Sequence, residues 1–340
     1  MQQAIMTKPG VIQFHQIDIP EPQPGEVLLK IRKIGVCGSD IHVYHGLHPY
    51  TPFPVVQGHE VSAEIEAFGA SSVDFKRGDL VTFMPQKTCG KCLSCREGNY
   101  HICENLKVMG FQTEGAAQEY FIVPEENIIS LPAGFSDETG AMIEPIAVAV
   151  HAIRRSGHTL KNRNVLVFGA GPIGNLTAQV AKAYGAQVLI SDISDFRLQK
   201  AKDCGIPFIT NPNTKPLGAE LERAFGTRKA DLIFECVGLQ ATITEAINNA
   251  RKGTCIVIVG VFGQKPVVDL GLVQDRELSL IGTLMYKKED YLDAVALCEK
   301  GQLNLAPMIT HHFPFKDYLK AYHFIDNAKD KALKVMIDLS

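Results

Sequence analysis

Asn164-Val-Leu-Val-Phe-Gly-Ala-Gly-Pro-Ile-Gly174 reads as a buried strand, a tight turn and the opening of a helix running to Tyr184. A G-x-G-x-x-G is weak evidence alone, because glycine-rich turns are common. Between an apolar strand and a helix it has the context that a dinucleotide-binding turn requires. Gly169 allows the turn, Gly171 lets a pyrophosphate approach the backbone, and Gly174 permits close packing of helix on strand. Pro172 and Ile173 begin the helix, whose free N–H groups face the phosphates. The next strand, 187–191, leads into Asp192, a carboxylate at the spacing that meets the adenosine ribose hydroxyls. A 2′-phosphate would be repelled there, so NAD is expected over NADP, with nearby Arg197 tempering the preference. The plain alternative is an αβ turn with a surface aspartate.

Working outward, residues 231–236 and 255–259 are further strands, each after a helical stretch. Strands alternating with helices predict a doubly wound parallel sheet, the Rossmann arrangement, over 151–284. From about Leu284 the chain leaves that sheet, with helices expected at 290–300 and 315–327 and a last strand at 334–339. Upstream, Val27-Leu-Leu-Lys-Ile-Arg32, Val61-Ser-Ala-Glu-Ile-Glu66 and Glu119-Tyr-Phe-Ile-Val123 cluster as short strands, and Pro20-Glu-Pro-Gln-Pro-Gly25 breaks the pattern. The reading is an α/β chain: a β-rich, barrel-like unit over 1–150, a dinucleotide domain over 151–284, and a return to the first unit over 285–340.

Length and composition agree with this division. The chain has 340 residues, enough for two domains. Hydrophobic residues are 46% and charged residues 21%, the balance of a globular protein with a filled core. A formal charge of −3 gives no broad basic field, so neither nucleic acid nor an anionic membrane is an expected partner. Apolar runs such as 255–262 are too short to cross a bilayer. The N-terminal stretch lacks the charged-then-apolar order of a secretory signal, so a cytoplasmic protein is expected.

There are nine cysteines, an odd number with four crowded into 89–103, which suits metal binding in a reducing compartment better than disulfides. Cys89-x-x-Cys92-x-x-Cys95-x7-Cys103 can close a tetrahedron of thiolates around a structural zinc, leaving no open position for substrate. Iron–sulfur ligation is the chemical rival, and four free surface thiols the bland one. A catalytic zinc needs about three protein ligands and one open position. Cys37, in Gly35-Val-Cys-Gly-Ser-Asp-Ile-His42, and His59 and Glu60, in Gly58-His-Glu60, are the candidates. Alone, each would more often be a small core residue, a satisfied histidine or a solvated charge. Joined to the dinucleotide motif they read as a site.

These motifs, with Glu144-Pro145 and Ala149-Val-His151, make the chain resemble the zinc-containing medium-chain alcohol dehydrogenases over essentially its full length. Within them it resembles the sorbitol (polyol) dehydrogenase branch, which has glutamate where simpler members place a third cysteine ligand. The resemblance implies a GroES-like catalytic domain interrupted by a Rossmann domain, an active site in the cleft between them, and two zinc ions per chain. It implies Cys37 and His59 as ligands of the catalytic zinc, with Glu60 and Glu144 competing for the third place. Glu144 has a simpler reading as a helix N-terminal carboxylate. Such a metal makes an alcohol more acidic, and the nicotinamide accepts hydride.

By the same resemblance Ser39 stands where the family keeps a relay hydroxyl and His42 where its outer relay histidine sits. Asp40 is expected to orient His59, or to cap the following helix, or both. Tyr44, His48, Tyr50 and Phe53 are candidates for the pocket lining, though such a stripe is more often packing. The polyol branch carries an Arg-Tyr pair after the last Rossmann strand. Here Met285-Tyr286 stands in its place, followed by Lys287 and Lys288. Tyr286 is the substrate candidate, and the missing arginine puts sorbitol itself in doubt. Lys287, if it points inward, favours a carboxylated substrate. The expected function is hydride transfer from a secondary alcohol, of polyol or sugar-acid type, to NAD. A threonine or butanediol dehydrogenase on the same scaffold and a catalytically silent NAD-binding zinc protein are the alternatives. The family resemblance favours a homodimer or homotetramer, with the edge strand near 278–282 as its seam.

Overall fold

The strand Asn164–Phe168 is buried along its whole length and lies between Gln187–Ser191 and Leu232–Glu235, both parallel to it. The computed structural model, which describes residues 1–339 other than 71 and 73 and every side chain among them but that of 228, extends this into a six-stranded sheet. Its order is Phe208–Thr210, Gln187–Ser191, Asn164–Phe168, Leu232–Glu235, Cys255–Ile258, Ser279–Gly282, and every pairing is parallel. Counted from the glycine-rich strand this is the 3-2-1-4-5-6 order of a dinucleotide-binding sheet. Near-continuous Val, Leu and Ile in its central strands follow from burial on both faces. Leu217, Leu221, Phe225, Ile243 and Ile247 of two helices share a core with Leu166, Leu189, Ile233 and Ile256.

A second large sheet is mixed and has seven strands. It runs Ile309–Pro314, Lys334–Asp338, Glu26–Gly35, Glu60–Phe68, Leu80–Phe83, Ile128–Ser130, and Tyr120–Pro124 pairs with the first half of Glu26–Gly35. Irregular register at Leu28/Leu29 and Ile31/Lys33 marks bulges, which increase twist and bend the sheet over one core. Val27, Leu29, Ile31, Val61, Phe83 and Ile337 belong to that core, as do Tyr318 and Tyr322 of the helix Tyr318–Ala328. Among the described residues no helix is long and apolar enough to cross a membrane.

The chain divides into two compact units. One comprises Met1–Glu144, Lys287–Val295 and Ile309–Ser340, the other Pro145–Tyr286 and Ala296–Met308. Two details depart from the expected division at 150 and 284. The first is a 19-residue helix, Asp137–Arg155, inside which the division falls. Pro145 in its middle disguises the helical run, since proline removes one backbone donor. The second is 296–308, expected in the first unit but packed with the second. There Asn304 donates its backbone N–H to Gln179 Oε1 (2.7 Å) and its side-chain amide to the Asp203 carbonyl (3.1 Å).

Candidate functional site

Strand register gathers the first group that could hold a metal. Gly35 pairs directly with Glu60 in the antiparallel ladder, so the chain leaving one strand toward Cys37 and the chain arriving through His59 share one end of the sheet. Gly35 is needed there because a Cβ would overlap the Glu60 carboxylate. Cys37 Sγ, a ring nitrogen of His59 and a carboxylate oxygen of Glu60 lie within 4.8 Å of one another. His59 and Glu60 are buried and Cys37 is half-buried.

Asp40 sits in the first turn of the short helix Gly38–Tyr44 and accepts the Cys37 N–H at 3.0 Å through Oδ2. That is the capping role. Its Oδ1 accepts from Gln57 Nε2 at 3.1 Å and lies 3.6 Å from His59 Nδ1, too far for a hydrogen bond. Asp40 therefore reaches His59 as a nearby charge, and Nδ1 is a buried atom with no hydrogen-bond partner.

Burial disfavours the imidazolium, yet Asp40, Cys37 and Glu144 outweigh it and hold the His59 pKa well above the usual value. A field that favours one proton on this ring also favours a dication beside it, so the donor set suits zinc, which takes Cys, His and carboxylate ligands. Glu60 is in addition ion-paired with Lys334, whose side chain is only 2% exposed and whose ammonium also donates to the Val36 carbonyl at 3.3 Å. Burial opposes that charge, but Glu60, Cys37 and Glu144 raise its pKa overall. Glu144 is buried in the helix Asp137–Arg155. It lies outside the triad gathered within 4.8 Å, although its charge acts on both His59 and Lys334.

Ser39 is half-buried and His42 exposed, three residues apart on one helix and so on one side of it. Of the expected pocket residues, Tyr44 is core packing: it is buried, its ring 5.3 Å from that of Tyr322 and its hydroxyl 3.0 Å from His323 Nε2. Tyr50 is exposed and Phe53 packs against the core. His48 is half-buried and tilts over Phe111 at 5.0 Å; Phe111 in turn lies 4.9 Å from the His59 ring. Tyr286 is almost wholly buried. Lys287 does not stand free, because its ammonium donates to Asn99 Oδ1 at 3.0 Å.

The second group that could hold a metal is local. Cys92 caps the single helical turn Leu93–Arg96, and Cys103 ends the turn Tyr100–Ile102. The sulfurs of Cys89, Cys92, Cys95 and Cys103 all lie within 4.8 Å of one another. Backbone N–H groups point at them: Cys92 at Cys89, and Cys89 and Asn105 at Cys103, each at 3.3 Å. The N–H groups of Lys91 and Cys92 lower the Cys89 pKa to about 6. Amides aimed at Cys89 and Cys103 favour thiolate there, the form that binds metal, while burial and the neighbouring thiols push Cys95 up to about 12; the four gathered sulfurs fit a closed zinc site.

In the dinucleotide turn, Gly171 caps the helix Pro172–Ala183 with Pro172 at its first position. A Cβ on Gly174 would strike the Gly169 carbonyl, the close strand–helix approach the motif provides. Asp192 is half-buried and held beside the turn, accepting the N–H of Ala170 at 2.6 Å and of Ser194 at 2.8 Å. Arg197 is half-buried with its Nε unpartnered.

Lys334, Gln57 and Phe111 are the site neighbours that sequence reasoning missed. A lone lysine inside the apolar run Ala332-Leu-Lys-Val-Met-Ile337 was the available signal for the first; the others gave none.

Comparison with known proteins matches residues 23–133 to the alcohol dehydrogenase GroES-like domain and 172–300 to the zinc-binding dehydrogenase family. A sorbitol dehydrogenase of Halalkalibacterium halodurans is 36% identical over 99% of this chain and 99% of its own. A 2-dehydro-3-deoxy-L-galactonate 5-dehydrogenase of Pseudoalteromonas atlantica is 35% identical over 97% and 95%. A solved alcohol dehydrogenase of Escherichia coli CFT073, complexed with NADH, superposes with a TM-score of 0.92 at 30% identity, covering 100% of this chain and 99% of that one. Matched over almost its whole length, the chain belongs to the zinc-containing medium-chain alcohol dehydrogenases, in their sorbitol dehydrogenase-like branch, and zinc and a nicotinamide dinucleotide are its cofactors.

Proposed function

We propose that this enzyme oxidises a secondary alcohol within a polyol or sugar acid and passes the hydride to NAD. Cys37 and His59 hold the catalytic zinc, with Glu60 or Glu144 as third ligand, and Cys89, Cys92, Cys95 and Cys103 hold a structural zinc. The observation that carries the reading is the convergence of Cys37, His59 and Glu60 within 4.8 Å, in a field that draws cations. When bound, the zinc supplies Lewis-acid polarisation of the substrate oxygen. The chain's own groups position it and move the proton. Asp40 fixes the Cys37 backbone, Lys334 holds the Glu60 carboxylate, and Ser39 and His42 offer a path from the half-buried site to solvent.

Asp192, already oriented beside the glycine turn, binds the adenosine ribose hydroxyls. Asp192→Ala is expected to lower kcat/KM for NAD by about tenfold or more, the weight of charge-assisted hydrogen bonds, while NADP loses little. Equal kcat/KM for the two cofactors in the unmodified enzyme would contradict this.

The substrate class rests on relatives named for sorbitol and for 2-dehydro-3-deoxy-L-galactonate, and on a candidate zinc site that sets a carboxylate beside its one cysteine. Lys287 has one of its three donors on Asn99. Met285 in place of arginine removes a rigid five-donor group, so a long polyol is gripped less firmly at its far hydroxyls. In kcat/KM across ethanol, polyols and the matching aldonates at fixed NAD, a vicinally hydroxylated secondary alcohol is expected to win. A clear preference for ethanol would sink the polyol reading.

We read the enzyme as a cytoplasmic homodimer or homotetramer. The strand Ser279–Gly282 is an unpaired sheet edge with Leu280 exposed, and nearby in sequence Val267 and Leu270 are exposed as well, which supports that seam.

A further inference from the structure

We propose that Tyr322 and Gln57 are positioning residues for the catalytic metal ligands, acting through Asp40. Four buried polar side chains form one chain of hydrogen bonds. The Tyr318 and Tyr322 hydroxyls are 3.3 Å apart, Tyr322 Oη donates to Gln57 Oε1 at 3.0 Å, and Gln57 Nε2 donates to Asp40 Oδ1 at 3.1 Å. Tyr318, Tyr322, Gln57 and Asp40 are each at most 2% exposed. No water-facing group can stand in for a missing partner there.

The direction of the chain follows from chemistry. An ionised Asp40 only accepts, so Gln57 must turn its NH2 toward it, which leaves the Gln57 carbonyl requiring a donor. Tyr322 is that donor. Its proton being committed, it can take from Tyr318 only as an acceptor. Asp40 Oδ1 is thereby pinned, and Oδ2 is left to hold the Cys37 N–H at 3.0 Å while the carboxylate faces His59 at 3.6 Å. The helix Tyr318–Ala328, far along the chain, thus sets the carboxylate that holds the Cys37 backbone and places its charge beside His59. Without the Tyr322 hydroxyl, the Gln57 carbonyl is a buried acceptor with no donor, and the amide and Asp40 lose their fixed orientation.

This rests on Cys37 and His59 being ligands of the catalytic zinc. The test is zinc release from the holoenzyme to a chromogenic chelator, followed in time, with Cys37→Ser marking which phase belongs to the catalytic site. Tyr322→Phe keeps the ring packed against Tyr44 and Tyr318 and removes only the hydroxyl. It is expected to speed the catalytic-site phase by about tenfold, at the low end for residues that orient metal ligands, and to leave the four-cysteine phase unchanged. Gln57→Met breaks the same link from the other side and is expected to act alike, whereas Tyr318→Phe should act less. An unchanged catalytic-site phase in both variants, or equal acceleration of both phases, overturns the proposal. Wild-type enzyme that releases a single zinc, from the four-cysteine site, overturns instead the reading of Cys37 and His59.

Discussion

Cys37→Ser is expected to abolish turnover and leave the protein folded. The substitution removes the one thiolate of the Cys37, His59, Glu60 set, and serine is a poor zinc ligand. Lewis-acid polarisation contributes several kcal/mol of barrier lowering, and about 4 kcal/mol is a thousandfold in rate, so kcat should fall to about a thousandth or less. The fold should survive because Cys37 lies at a helix cap whose Cys37 N–H to Asp40 bond involves the backbone and not the thiol. Cys92→Ser is expected to behave the other way. Its sulfur belongs to a closed set on one short loop, where metal binding and local folding are the same event. Unfolding midpoints and steady-state rates of the two variants, taken together, separate the sites. Turnover of Cys37→Ser within tenfold of wild type would mean that the metal chemistry happens elsewhere.

Lys334→Met carries the largest expected loss of stability. Lys334 and Glu60 are both essentially without solvent contact, so in the zinc-free protein removing the ammonium leaves a buried carboxylate uncompensated. Breaking such a pair from one side costs about 3–5 kcal/mol, while replacing both partners by apolar groups is often close to neutral. Glu60→Leu together with Lys334→Met should accordingly recover most of the stability, though not activity. Denaturant midpoints of the single and double variants decide the matter. A loss of about 1 kcal/mol or less in Lys334→Met would show a solvent-screened pair of the surface kind.

What the sequence discloses depends on how local each feature is. The glycine turn at 169–174 and the cysteine quartet at 89–103 are complete within a few turns of chain, and both were legible from spacing. The parallel sheet was legible because its strands, buried on both faces, are short apolar runs set between helices. Cys37, His59 and Glu60 were candidates only in combination with the dinucleotide motif, since their meeting depends on the antiparallel pairing of Gly35 with Glu60. Lys334 reaches Glu60 from 274 residues away and Tyr322 reaches Gln57 from 265, distances at which no pattern in the chain announces a contact. Pro145 hides the helix Asp137–Arg155, within which the two compact units divide. The Lys287 partner, Asn99, was hidden in the same way, at 188 residues' distance.

The most direct test of the account is the zinc content of each chain, measured in preparations of known specific activity. Two ions per chain are expected in fully active enzyme, falling to one in Cys37→Ser with turnover lost and the four-cysteine site still filled. Fully active enzyme holding a single zinc, or Cys37→Ser that retains both ions, would contradict it.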